Sequence, residues 1–284
     1  MRASLVVCSL FVFASSFAQQ SAPADPPKKF PRWTIGLSFL TEFDLDGYTM
    51  VREKKFVGDK LDLQKDLGMD QWRSLSIAGE YHFKNNSSVS LSVEDFFFSG
   101  YAIVNKDIWF NGVHMSGFEG ISPSRTELYR IMFTYEKKIH PERRIHPSLC
   151  AGLISDNLIF YVRGRILPIT WSIEQSENFA LHSLPFPYLG AKLQDDLSAT
   201  SFLMVEASGT YIPSFKSFFD EGGPVWLHYY TAQVGLSYGL RIKGSSVQLA
   251  MVYRCLKILQ ESGEDTNDVY FSALGARIRV EHDF

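Results

Sequence analysis

His114, His182 and His228 are the residues from which general-base chemistry would start, with Asp107, Glu174 and Asp220 in comparable stretches as carboxylates that could orient them. An imidazole works as a base only when a carboxylate orients it and a nucleophile or water lies against it. No spacing in the chain supplies that pairing, so these six read as polar loop positions. Metal chemistry fares no better: the histidines are scattered singly, HExxH is absent, and Cys150 and Cys255 fall on opposite faces of their predicted strands. Asp44, Asp46 and Gly47 in FDLDGY match a fragment of a calcium loop whose other ligand positions are missing. There is no glycine-rich phosphate cradle, and Asn85-Asn86-Ser87 is explained by the left-handed tolerance of Asn in a turn. No cofactor, no metal and no enzymatic activity are expected.

A second set of charged residues has a clearer pattern. Glu80, Glu94, Arg130, Glu136, Glu206, Arg254, Arg277, Arg279 and Glu281, joined by His82, Lys192 and Arg241, alternate with apolar neighbours along the chain. Successive side chains of a strand point to opposite faces, so period-two alternation makes one face apolar and the other polar. Trp33, Ile35, Leu37 and Phe39 oppose Thr34, Gly36 and Ser38. Leu75, Ile77, Gly79, Tyr81 and Phe83 oppose Ser76, Ala78, Glu80 and His82. The same grammar recurs at 89–97, 127–136, 148–153, 189–193, 203–211, 230–240, 247–255 and 270–284, about ten strands in all. Each is near the length that crosses a bilayer at a tilt.

The connections sort by length. Short turns are expected at 84–87, 140–144, 194–200 and 243–245. Longer segments run over 41–72, 100–125, 162–185, 212–224 and 260–268. Short turns at one end and long loops at the other, with aromatics near strand ends, predict an antiparallel up-and-down transmembrane β-barrel. A secreted β-sandwich that binds a ligand is the soluble alternative. In a barrel the apolar faces meet lipid and the charged set faces the lumen, where ions must pair because an isolated buried charge is very costly. The expected interior is thus a salt-bridged plug, against the alternative of a small polar, porin-like passage.

The N-terminus fits an exported protein. Arg2 precedes an apolar run over 5–13 and the small residues Ser16-x-Ala18, which predicts a signal peptide over 1–18 cleaved before Gln19. Residues 19–31, QQSAPADPPKKFP, read as a disordered periplasmic linker, and 32–284 as the barrel. Cys8 would leave with the signal, and two cysteines make no disulfide framework. With 28 basic and 31 acidic residues the chain has a formal charge of −3, and no basic stripe marks a nucleic-acid surface.

Counting back from Phe284 in steps of two, His282, Val280, Ile278, Ala276 and Leu274 form a largely apolar face opposite Asp283, Glu281, Arg279, Arg277 and Gly275. This resembles the C-terminal signature of outer membrane β-barrel proteins of Gram-negative bacteria, with His282 where that family usually has an aromatic. The segment VGDKLDLQKDLGMD, residues 57–70, is similar to a motif of uncharacterised members of the same class. The resemblance implies a bacterial outer membrane location and outer membrane lipid around the wall. It also implies assembly by the barrel assembly machinery and periplasmic chaperones, with Phe284, Val280 and Ile278 as the recognised signal. The role expected is structural, surface-binding through the outer loops, or passage of a small solute. An outer membrane enzyme acting on lipid A or surface peptides is the alternative.

Overall fold

In the computed structural model the described residues are 33–53, 58–69, 71–104, 107–110, 113–115, 120–164, 175–182, 185–217, 225–262 and 265–284. The expected signal peptide and linker lie outside them. Ten strands form the wall: β1 (Trp33–Glu53), β3 (Trp72–His82), β4 (Ser87–Val104), β7 (Gly120–Lys138), β8 (Ile145–Gly164), β10 (Phe186–Asp196), β11 (Ser201–Ser217), β12 (Val225–Ile242), β13 (Ser245–Glu261) and β14 (Asp265–Asp283). Four short strands accompany them: β2 (Lys60–Asp62), β5 (Ile108–Phe110), β6 (Val113–Met115) and β9 (Gln175–His182). Every wall strand is antiparallel to its neighbours, and β14 pairs with β1, which closes the ring and removes the sandwich alternative.

Short turns carry the residues that tight reversals require. Asn86, His140, Lys243 and Gly244 all have positive φ and sit in turns at one end. Both described ends of the chain are there too, where the Phe284 amide donates to the Trp33 carbonyl.

Followed strand to strand, one row of paired residues runs Trp33, Tyr81, Val89, Tyr135, Ala151, Leu189, Gly209, Ala232, Cys255, Ser272 and back to β1 at Asp46. The row climbs 46 − 33 = 13 positions, one taken up by the bulge between Phe43 and Asp46, where Asp44 has a φ of 56°. That stagger is the tilt a closed barrel needs.

All ten wall strands turn apolar residues outward in the same zone: Ile35, Ile77, Leu91, Ile131, Leu153, Leu189, Val205, Leu236, Leu249 and Ile278 are each exposed. Allowing for the climb, exposed Phe43, Phe97, Tyr129 and Tyr211 stand at one rim of this belt, and Trp33, Phe83 and Phe284 at the other. A closed even-stranded barrel with an apolar band between aromatic girdles is the architecture of bacterial outer membrane proteins, and it places the chain in that membrane. Ile278, half-exposed at mid-belt, faces lipid. Ile278→Arg is expected to cost about 2–4 kcal/mol and to lower the amount of folded barrel in membranes. Arg279→Ala, on the lumen side, is expected to leave that amount largely unchanged, and equal losses for the two would overturn this orientation of β14.

The strands are longer than the alternation implied. Most run 17 to 21 residues, against roughly 9–11 needed to cross a bilayer, so the wall continues well beyond the outer girdle. The segments 41–72, 100–125, 162–185, 212–224 and 260–268 expected as outer loops are therefore partly wall. Beyond the girdle the polarity of the faces inverts. Asp46 and Arg52 point out to water, while Leu45 and Val51 point in and are buried.

Candidate functional site

The lumen has two storeys, and every member of the charged set lies in the lower one or at its ceiling. Glu80, Glu94, Glu136, Glu206, Glu281, Lys192, Arg254, Arg277 and Arg279 line a cavity of about 170 Å³, together with Ser38, Ser76, Ser90 and Ser92. The ions are paired, most of them across strands. Lys192 Nζ lies 2.5 Å from Glu136, Arg277 2.5 Å from Glu206, Arg279 2.6 Å from Glu281 and Arg254 2.9 Å from Glu94. Glu80 faces His82 at 3.5 Å, and the other nitrogen of that ring meets the Thr34 hydroxyl, which donates to Asp283. At the mouth, Arg241 holds Asp196 at 2.6 Å. Glycines and serines between the charges leave the space into which the long side chains fold.

The ceiling of the cavity is a buried ionic layer. Arg130 binds Asp156 through two bonds of 2.7 and 2.9 Å, and the Tyr229 hydroxyl donates to the same carboxylate at 2.5 Å. Arg254 lies 3.6 Å from Glu42, a carboxylate with no exposed surface. Both guanidiniums face the ring of Phe96, at 5.7 Å for Arg130 and 5.1 Å for Arg254. Two of these residues, Glu42 and Asp156, were not in the charged set. Glu42 falls at the start of a segment expected to be a loop, and Asp156 just past the end of an expected strand. Continuing the alternation from Ser38 and Leu40, or from Ile154, would have found both.

Above that layer the described interior is largely apolar, which differs from the salt-bridged fill expected throughout. Phe96, Leu128, Leu158, Tyr229, Leu256, Ile258, Val269 and Phe271 point inward from six different strands around the wall and pack as one buried cluster. Residues 58–69, the greater part of the motif at 57–70, complete it. β3 is only 11 residues long, and above its first residue β2 takes its place beside β1, pairing Tyr48 with Asp62. The Asp62 side chain then accepts the amides of Gln64 and Lys65, and Gly68, at φ 64°, ends the turn so that the Met69 amide returns to the Leu63 carbonyl. This turn presses Leu61, Leu63, Leu67 and Met69 into the lumen, each at most 2% exposed. A Cβ on Gly100 would stand 2.1 Å from the Leu67 carbonyl, so β4 can accept the turn there only as glycine. Asp59 ties the segment to the β5–β6 hairpin through two bonds with the Trp109 backbone, both 2.8 Å.

His114, His182 and His228 stand on three separate strands. His114 lies in β6 opposite Trp109, and His182 in β9 opposite Asn157. His228 is on the outer wall between Tyr211 and Tyr230, with edge-on ring contacts at 5.5 and 6.3 Å. Asp107 precedes β5 and is exposed, whereas Glu174 and Asp220 are outside the described residues. Cys150 and Cys255 are free, the first facing the lumen. Among the described residues no group of three or more His, Cys, Asp or Glu is placed to hold a metal ion.

No family model matches the sequence, and no curated protein does. Among solved structures the chain is similar to the outer membrane protease OmpT of Escherichia coli, at 11% identity over 91% of this chain and 99% of that one, with a TM-score of 0.48. It is similar to the translocator domain of the autotransporter NalP of Neisseria meningitidis, at 12% identity over 100% and 96%, TM-score 0.41. The outer membrane protein OprG of Pseudomonas aeruginosa aligns at 11% identity over 90% and 97%, TM-score 0.36.

Proposed function

We propose that the chain is an axially sealed barrel of the outer membrane with a structural or surface-binding role, in which the outer half of the wall is a stiff platform standing above the lipid. The observation that carries this reading is the apolar cluster capping the ionic layer. Leucines and aromatics pack across the lumen from the wall strands and from the 58–69 turn. A water-filled path for a polar solute needs polar walls along its whole length, and above the ceiling the described interior is largely apolar, with Thr49 and Asn267 as buried polar exceptions. Catalysis at the rim has no comparable support, because the candidate bases are dispersed over separate strands. Assembly through periplasmic chaperones and the barrel assembly machinery, with Phe284, Val280 and Ile278 as the signal, belongs to the same reading.

Conductance tests it. Purified protein inserted in a planar lipid bilayer is expected to show no stable ohmic steps in molar salt, with insertion verified by heat-modifiable migration of the recovered protein. Reproducible open steps from wild-type barrel would overturn the sealed reading and return solute passage to first place.

A further inference from the structure

Two wall strands, β3 and β10, stop at 11 residues where their neighbours run on, and the two gaps above them are treated differently. Above β3 the 58–69 segment fills the space and pairs with β1. Above β10, β9 pairs with β8 alone. The ladder between β10 and β11 ends at Leu189 and Gly209, and beyond it β11 from Thr210 to Ser217 pairs only with β12 among the described residues.

The sequence accounts for this seam. The Thr210 hydroxyl donates to the Pro187 carbonyl, so that carbonyl points toward β11. In an antiparallel strand the N–H and C=O of one residue point to the same side, and proline has no N–H. Pro187 therefore lacks a donor on the edge facing β11, and Pro185, just before β10 begins, has no N–H with which to extend that ladder. On the other side, Pro213 sits in the irregular stretch between Ile212 and Phe215. Proline is tolerated in sheets only where a ladder ends or bulges.

The seam begins inside the lipid belt. Leu189 and Tyr211, which flank it on the outside, are 72% and 67% exposed, the highest values among the large apolar residues of the wall. Just behind it the lumen side is apolar: Phe186 stacks on Tyr229 at 5.0 Å, Tyr188 is buried, and Ile212 packs on the same cluster. Below the seam's start the ladder with β11 is continuous down to Asp196. Among the described residues the missing pairing is therefore confined to the outer part of the belt and above.

We propose that this seam is a lateral portal through which an acyl chain of an outer-leaflet lipid reaches the apolar interior beside Phe186, Tyr188, Ile212 and Tyr229. Lipid is the occupant because the seam opens into the belt, and its outer flank and inner lining are both apolar. The proposal is independent of the axial seal, since a barrel closed along its axis can still be open through its wall.

The test uses the full barrel in proteoliposomes whose phospholipids carry a diazirine in the acyl chain, with the labelled residues read by mass spectrometry. The expected result is labelling of lumen-facing Phe186, Tyr188, Ile212 or Tyr229 alongside the outward controls Leu249 and Ile278. In a C150S/C255S background, joining P187C to Y211C with a short bismaleimide is expected to abolish the lumen-side labels and keep the controls. P185S/P187S, which restores two donors to the edge, is expected to reduce the lumen-side labels without any cross-link. Labelling confined to the outward controls in the unmodified barrel would overturn the portal. So would lumen-side labelling that persists unchanged in both the cross-linked and the serine variants.

Discussion

Arg130→Met is expected to lower the folding stability of the barrel by about 3–5 kcal/mol, because it strands the Asp156 carboxylate in a place water does not reach. Asp156 has no side-chain exposure and Arg130 only 7%. The carboxylate keeps the Tyr229 hydroxyl as a donor, which cannot replace a bidentate guanidinium. Urea unfolding in detergent, followed by the gel shift between folded and unfolded barrel, measures the loss. The double variant Arg130→Met/Asp156→Leu is expected to regain most of it, since replacing both members of a buried pair with apolar groups is far less costly than orphaning one. Tyr229→Phe alone should cost about 1.5–3 kcal/mol, the scale of a hydrogen bond to a charged group. A single Arg130→Met variant as stable as wild type would mean that the ceiling layer is hydrated and does not close the cavity.

Leu67→Asp is expected to undock the 58–69 turn while leaving the barrel folded. Leu67 is fully buried, and an unpaired carboxylate in that cluster would cost several kcal/mol. The turn has its own escape route, because it is held by three residues of β2 paired with β1, by the bonds of Asp59 to the β5–β6 hairpin and by its leucines. Hydrogen exchange at Gly68 and Met69 reads the event, since their amides are bonded to Gln64 and Leu63 within the turn. Exchange is expected to rise about a thousandfold, which corresponds to roughly 4 kcal/mol of lost docking at 1.4 kcal/mol per tenfold. Lys65→Ala, on the same turn but exposed, should change exchange by less than about threefold, as surface substitutions stay within about 0.5 kcal/mol. If Leu67→Asp instead abolished heat-modifiable migration, the turn would be part of the folding core and not a separable closure.

Both predictions concern the part of the molecule that alternation along the chain describes least well. Within the belt the sequence is explicit. Ile35 and Leu37, Leu75 and Ile77, or Ile278 and Val280 alternate with polar residues because a bilayer on one side and a polar lumen on the other impose opposite demands on successive positions. Asn86 and Gly244 mark reversals by residue type alone. The charged residues from Glu80 to Glu281 could be assigned to one face from parity, without knowing which would pair with which.

Above the outer girdle the same local rule has the opposite meaning. On β13 the apolar positions change parity between Tyr253, which faces lipid, and Leu256 and Ile258, which face the core, with no irregularity in the pairing with β14. That switch is visible in the sequence, but its sense depends on how high each residue stands relative to the bilayer. Height is set by the 12-residue stagger left after the bulge, a property of the closed ring. Ring closure also decides that Glu206 meets Arg277, whereas Arg130 meets Asp156 through the register of the adjacent β7–β8 ladder. Closure decides as well that the turn at 58–69 packs inward on Gly100 and that Pro187 turns an edge without a donor toward β11. Amino-acid order by itself determined an antiparallel strand array with one lipid-facing side and short turns at one end, because those are properties of neighbours along the chain. The apolar seal, the pairing of its ionic floor and the seam in its wall were decided only when distant strands were brought to a common height.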